Sequence, residues 1–121
     1  MTFKRAIRSG FKNYFFGYSS RAGRSEYWYW FLFVVLVVLG TSVLELVLLP
    51  FERHSFLGQI ALLILLPPSI GTAVRRIHDL GRAGGWLLVA LTGIGAFVLL
   101  ILFCFRGTEG TNEFGSDPLA A

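Results

Sequence analysis

Charged side chains are scarce in this chain: 15% of its residues are Asp, Glu, Lys or Arg, against 55% hydrophobic, and the mean hydropathy is +0.66. That leaves too little polar surface to cover a soluble globule of 121 residues. Cysteine occurs once. Cys104 can form no internal disulfide and has no partner ligands for a metal site, so it reads as a lipid-facing or packing residue, and no metal or cofactor is expected. No nucleotide, metal-ligand or nucleophile pattern stands out, and no enzymatic activity is expected. No cleavable leader is expected either: the basic region is long, the apolar run after it is too long for an h-region, and no A-x-A-like site follows.

What is present instead is three apolar stretches, residues 28–49, 56–74 and 86–105, which fill about half the chain. Each is about 19 to 22 residues long, which at 1.5 Å per residue matches a bilayer core of roughly 30 Å. The expected fold class is all-α: a polytopic membrane protein, one membrane domain over 1–121, with three transmembrane helices. An N-terminal amphipathic interfacial helix over 1–16 and a polar tail over 106–121 complete it. Lys4, Arg5, Arg8, Lys12, Arg21 and Arg24 precede the first stretch, and Arg75, Arg76 and Arg82 follow the second. The link between those stretches has Arg53 beside Glu52, and the tail has Arg106 against Glu109, Glu113 and Asp117. Positive charge favours the cytoplasmic side, so nine Lys/Arg are expected inside and two outside, with the N-terminus cytoplasmic and, after three crossings, the C-terminus outside. The same bias accounts for the net charge of +4 and the pI near 9.7, and no nucleic-acid partner is expected.

At 100° per residue, Phe3, Ile7, Phe11, Tyr14 and Phe15 share one side of the N-terminal helix, and Arg5, Arg8 and Lys12 another. Such a helix lies either in the headgroup plane or on the cytoplasmic ends of the spans. Residues 17–23 read as the turn into the first span, and Glu26 falls in that span's first turn, where the helix dipole favours a carboxylate. Tyr27, Trp28, Tyr29, Trp30 and Trp86 form a cytoplasmic aromatic belt. Glu45 either snorkels to the outer interface or is a buried carboxylate. Pro67 and Pro68 are expected to kink the second span, and Thr92, Gly93, Gly95 and Ala96 give the third a small-residue face for close helix approach.

Three polar strings carry the specific information. They are Ser20-Arg21-Ala22-Gly23-Arg24-Ser25-Glu26-Tyr27-Trp28, an R-R-x-H-D-x-G-R string over 75–82, and a G-T-x-G-x-N-x-F-G-x-D-P string over 107–118. In order and spacing they resemble the domain-of-unknown-function 805 family, from about Phe15 to Pro118. Two positions depart from the family pattern: Gly85 stands where the first of two tryptophans is usual, and Ser116 where proline is common. The resemblance implies a small multi-pass protein of the bacterial inner membrane and supplies no reaction.

If the second span stays helical through its basic end, Arg75, His78, Asp79 and Arg82 share one face, and Asp79 can pair with Arg75 or Arg82. With Arg76 they form either a salt-bridge cluster locking the spans or a site for an anionic headgroup or phosphate. Arg21, Arg24 and Glu26 are the expected structural partners, with Glu26 facing Arg75 or Arg76 across the short hairpin. The tail, with Glu109, Asn112, Glu113 and Asp117, lacks the ligand alternation of an EF-hand and reads as a turn-rich cap on the third span. Two function classes remain. One is a structural or interaction protein whose basic cytoplasmic surface meets anionic lipid or a membrane partner, with a homo-oligomer also open. The other is a subunit of an oligomeric channel or transporter, which spans with almost no internal charge favour less.

Overall fold

The computed structural model describes residues 2–12, 21–50, 56–115, 117 and 118, and among them it is all-helical. Helix α1 covers Phe3–Lys12, α2 Arg24–Leu48, α3 Phe56–Asp79, a 3₁₀ segment Gly84–Thr92, and α4 Ile94–Leu102. With 25 and 24 residues, α2 and α3 are long and apolar enough to cross a membrane, and both exceed the roughly 30 Å of a hydrocarbon core.

The third apolar stretch departs from expectation, because it is two short helices instead of one long one. The break is Gly93, with φ 74° and ψ −64°, a backbone conformation that a side chain would strain. Thr92 Oγ1 accepts the Gly95 amide at 2.9 Å, as a cap does, and a Cβ on Gly95 would overlap the Val89 carbonyl. Thus Thr92, Gly93 and Gly95 build a hairpin tip, and the small residues serve the approach of its own two arms. At about 2.0 Å per residue for the 3₁₀ arm and 1.5 Å for α4, the arms reach roughly 18 and 14 Å, about half a bilayer. A chain that doubles back brings its tail to the end it left. The tail lies against the end of α3, beside the arginine strings, and not at the opposite end.

α1 takes the packing alternative. Its buried Ala6 and Gly10 meet α2, and a Cβ on Gly10 would overlap the Trp30 ring. Phe11 meets Trp30 and Phe33 edge-on at 5.4 and 5.9 Å, and Phe3 meets Tyr29 at 5.9 Å. Tyr14, Phe15 and residues 17–20 of the expected turn lie outside the described residues, as do Glu52, Arg53 and Ser116.

α3 continues as helix through Pro67 and Pro68; just beyond them the Ser69 and Thr72 hydroxyls donate to the Leu65 and Pro68 carbonyls at 2.6 and 2.8 Å. Among the described residues the apolar core sits at one end: Ile77, Leu99 and Phe103, packed on by Tyr27, Trp28 and Leu87. At the other end Leu39, Val43, Val47, Leu57 and Leu63 face outward. There Glu45, only 5% exposed, neither snorkels nor stands alone: its carboxylate accepts the Phe56 and Leu57 amides at 3.0 and 3.3 Å, capping α3 from across the hairpin.

Candidate functional site

The three polar strings converge on the C-terminus of α3, where a helix leaves its last carbonyls without intrahelical partners. Gly81, at φ 79°, ends the helix as a Schellman motif: its amide donates to His78 O at 2.9 Å, and that of Arg82 to Ile77 O at 3.2 Å. The other strings supply the remaining donors. Ala22 N–H reaches Arg75 O at 2.9 Å, Thr108 N–H reaches Asp79 O at 2.6 Å, and the Asn112 side-chain amide reaches His78 O at 3.0 Å. The helix end is therefore satisfied by segments far apart in sequence, which is why it is buried from Arg75 to Asp79.

Asp79 is the centre of the layer. Arg21 Nε and Nη2 lie 3.1 and 2.9 Å from its Oδ1, while Arg76 Nη1 holds Oδ2. Arg21 turns its remaining donors to the tail, Nη1 to the Gly110 and Gly115 carbonyls at 2.7 and 3.2 Å and Nη2 to Thr108 O. Arg76, fully buried, bonds the Phe103 and Phe105 carbonyls just past α4, where the negative end of the helix dipole favours a cation. Two guanidiniums on one carboxylate leave a surplus positive charge, and these five carbonyls offset it. Such a layer holds only while each group keeps its partner, because an unpaired buried charge costs several kcal/mol, on the order of 3–5.

A second pair lies one turn away. Arg75 Nη1 is 2.8 Å from Glu26 Oε1, which also accepts the Ser9 hydroxyl at 2.5 Å, so one carboxylate ties α1, α2 and α3 together. Arg75 Nη2 approaches Thr72 Oγ1 at 3.4 Å, while its Nε has no acceptor among the described residues.

The tail string now has a physical reading. A Cβ on Gly107 would overlap the Asp79 carboxylate, so only glycine lets the tail reach it. Gly110, at φ 74°, and Gly115, at φ 130°, turn the chain so that their carbonyls face Arg21. Asn112 and Gly115 exchange backbone hydrogen bonds at 3.0 and 3.1 Å, closed by Asn112 Oδ1 accepting Phe114 N–H at 2.8 Å. Phe114 stacks on His78 with ring centres 4.1 Å apart. Asp117 accepts from Arg106 at 2.8 Å and from Gly110 N–H at 3.1 Å. That hydrogen bond raises the Arg106 guanidinium above its ordinary value.

Of the expected cluster, Arg75, Arg76, His78 and Asp79 are buried together, but Asp79 pairs with Arg76 and Arg21, and not with Arg75 or Arg82. Arg82 is exposed, 4.9 Å over the Trp86 ring. Of the expected partners, Glu26 takes Arg75, Arg21 takes Asp79, and Arg24 is exposed with one long bond of 3.4 Å to Cys104 O. Sequence reasoning missed the tail carbonyls, which carry no side-chain signature. Among the described residues the exposed cations are Lys4, Arg5, Arg8 and Lys12 on the outer face of α1, with Arg24, Arg82 and the Asp117-paired Arg106.

A family model described as a protein of unknown function, DUF805, matches residues 15–116. Inner membrane protein YhaI of Escherichia coli K12 is 41% identical over 111 residues, covering 88% of this chain and 89% of that protein. Inner membrane protein YhaH of the same organism is 34% identical over 113 residues, covering 88% and 90%. Its uncharacterized protein YiiR is 25% identical over 138 residues, covering 88% of each. No solved structure matches the chain.

Proposed function

The chain belongs to the DUF805 family of proteins of unknown function, and from that premise we propose that it is an inner-membrane interaction protein presenting a basic cytoplasmic surface to anionic lipid. A membrane-protein partner could dock on the same surface, and no reaction is assigned to the chain. The single observation that carries this reading is the division of its cations. Arg21, Arg75 and Arg76 are committed to internal acceptors, while Lys4, Arg5, Arg8, Lys12, Arg24 and Arg82 are exposed around the same end. Clustered cations at a membrane surface attract anionic lipid by roughly 1 kcal/mol each.

In this reading α2 and α3 cross the bilayer, the 3₁₀–α4 hairpin enters and leaves by the cytoplasmic leaflet, and both chain ends are cytoplasmic. Its support is the tail bound to Arg21 and Asp79. The charge bias agrees with it more strongly than with three crossings, since of the 11 Lys/Arg only Arg53 then lies outside. Fusions at Ala121 test it: a fluorophore active only in the cytoplasm should be bright and a periplasmic phosphatase inactive, and the reverse overturns the two-span topology. For the lipid reading, replacing Lys4, Arg5, Arg8 and Lys12 with Gln should lower retention of anionic lipid in detergent, less so at high salt. Equal retention of neutral and anionic lipid by the intact protein overturns it.

A further inference from the structure

The polar layer leaves unused a cleft between α2 and α3 on its apolar side. It holds about 210 Å³, walled by Tyr27, Trp30, Phe31 and Val34 of α2 and by Leu62, Leu66 and Ser69 of α3. An engineered cavity of roughly 150 Å³ already admits benzene, so this space takes several methylene groups. Its chemistry rejects a polar guest. The Ser69 hydroxyl is occupied by Trp30 Nε1 at 3.0 Å and by Leu65 O at 2.6 Å. Phe31, Leu62 and Leu66 are exposed at the rim, so the cleft opens sideways, onto the surface that faces hydrocarbon in a bilayer.

Above the cleft stands a cation. Arg24 lies about two turns closer to the polar end than Phe31 and about 20° round the helix from it, at 100° per residue. Its guanidinium is exposed and has only the long bond to Cys104 O. A guanidinium at headgroup depth with an apolar slot roughly 10 Å below it complements a phosphate joined to an acyl chain. We infer that one phospholipid of the leaflet at the arginine-rich end is held here, one acyl chain in the cleft and its phosphate on Arg24. The inference rests on the membrane placement proposed above and is independent of the basic face of α1.

The test uses the full chain with Trp28→Phe and Trp86→Phe, leaving Trp30 as the sole tryptophan, titrated in detergent with a phosphatidylglycerol carrying brominated chains. Quenching should saturate at one lipid per protein. Val34→Phe, which fills the slot, should weaken that binding about tenfold, and Arg24→Gln about fivefold. Brominated diacylglycerol, which lacks the phosphate, should bind the unsubstituted slot as weakly as phosphatidylglycerol binds the Arg24→Gln protein. Linear quenching without saturation, or equal quenching by the two lipids, overturns the inference. If Val34→Phe fails to fold, the Arg24→Gln and diacylglycerol comparisons decide alone. Neutralising Lys4, Arg5, Arg8 and Lys12 should leave the saturable site intact, which separates failure of this inference from failure of the basic-surface reading.

Discussion

The two ends of this molecule solve the same problem with different materials. Each must satisfy the backbone at a terminus of α3 inside or beside a low-dielectric layer. At the arginine-rich end the C-terminus of α3 is met by segments from the start and finish of the chain and by two guanidiniums sharing Asp79. At the far end its N-terminus is met by Glu45 of the preceding helix. The first arrangement is long-range and cooperative; the second is local. Among the described residues, tertiary structure beyond the helical hairpin is thus concentrated at one end, and apolar side chains at the other are left exposed.

The largest expected effect is therefore at Asp79. Asp79→Ala leaves Arg21 and Arg76 facing each other without a carboxylate and should cost about 3–5 kcal/mol, the scale for breaking a buried pair. Thermal unfolding in lipid nanodiscs would measure it, and limited proteolysis should show the tail cut within 107–118. A tail that stays protected in a destabilised protein would mean that its turns, and not Arg21 and Asp79, hold it in place.

Gly107→Ala isolates the close approach without removing a charge. The added methyl overlaps the Asp79 carboxylate, and overpacking of this kind costs about 1–3 kcal/mol. Gly40→Ala in α2 is the matching change away from the layer, with open space around its Cβ, and should be neutral or stabilising by about 0.5–1 kcal/mol. Similar losses at both glycines would erase the contrast between the two ends.

Coupling between charges comes next. Glu26→Gln and Arg75→Gln should each destabilise, while their double mutant loses less than the sum, with a coupling of about 1–2 kcal/mol. The cycle of Glu26 with Arg76 should give a coupling near zero, since Arg76 is committed to Asp79 and the Phe103 and Phe105 carbonyls. Equal coupling in both cycles would show one shared charge layer instead of two separate pairs.

How much of this was readable beforehand follows from what each interaction is made of. Glu26 could be placed opposite the paired arginines because a short hairpin forces the start of α2 and the end of α3 together. Which arginine it takes is a matter of rotation, which periodicity alone leaves open. The amphipathic pattern located α1, but docking onto Trp30 depends on Gly10, a residue with no side chain to mark it. The third stretch differs from expectation because length and hydropathy are shared by one long helix and two short ones; the deciding feature is the positive φ of Gly93. Charge counting over three spans sets the tail opposite the arginine strings, whereas it lies against the end of α3, and periodicity offers Arg75 and Arg82 to Asp79 as partners. Its partners are Arg76 of the same helix and Arg21, which stands just ahead of α2. The tail string acts through backbone carbonyls and absent Cβ atoms, so it was visible as a pattern without a mechanism.

The smallest effect belongs to Glu45. Its carboxylate lies among apolar side chains yet bonds two amides of the first turn of α3, the geometry of a cap supplied by a neighbouring helix. Removing a capping side chain costs about 0.5–2 kcal/mol, so Glu45→Ala should destabilise by about 1 kcal/mol in nanodiscs. Glu45→Gln keeps one acceptor oxygen and should recover about half of that. Neither change should alter tail proteolysis, because nothing at this end reaches Arg21 or Asp79. A loss well beyond 2 kcal/mol, or an exposed tail in Glu45→Ala, would show that the α2–α3 hairpin transmits strain along its length, and the two ends would then form one cooperative unit.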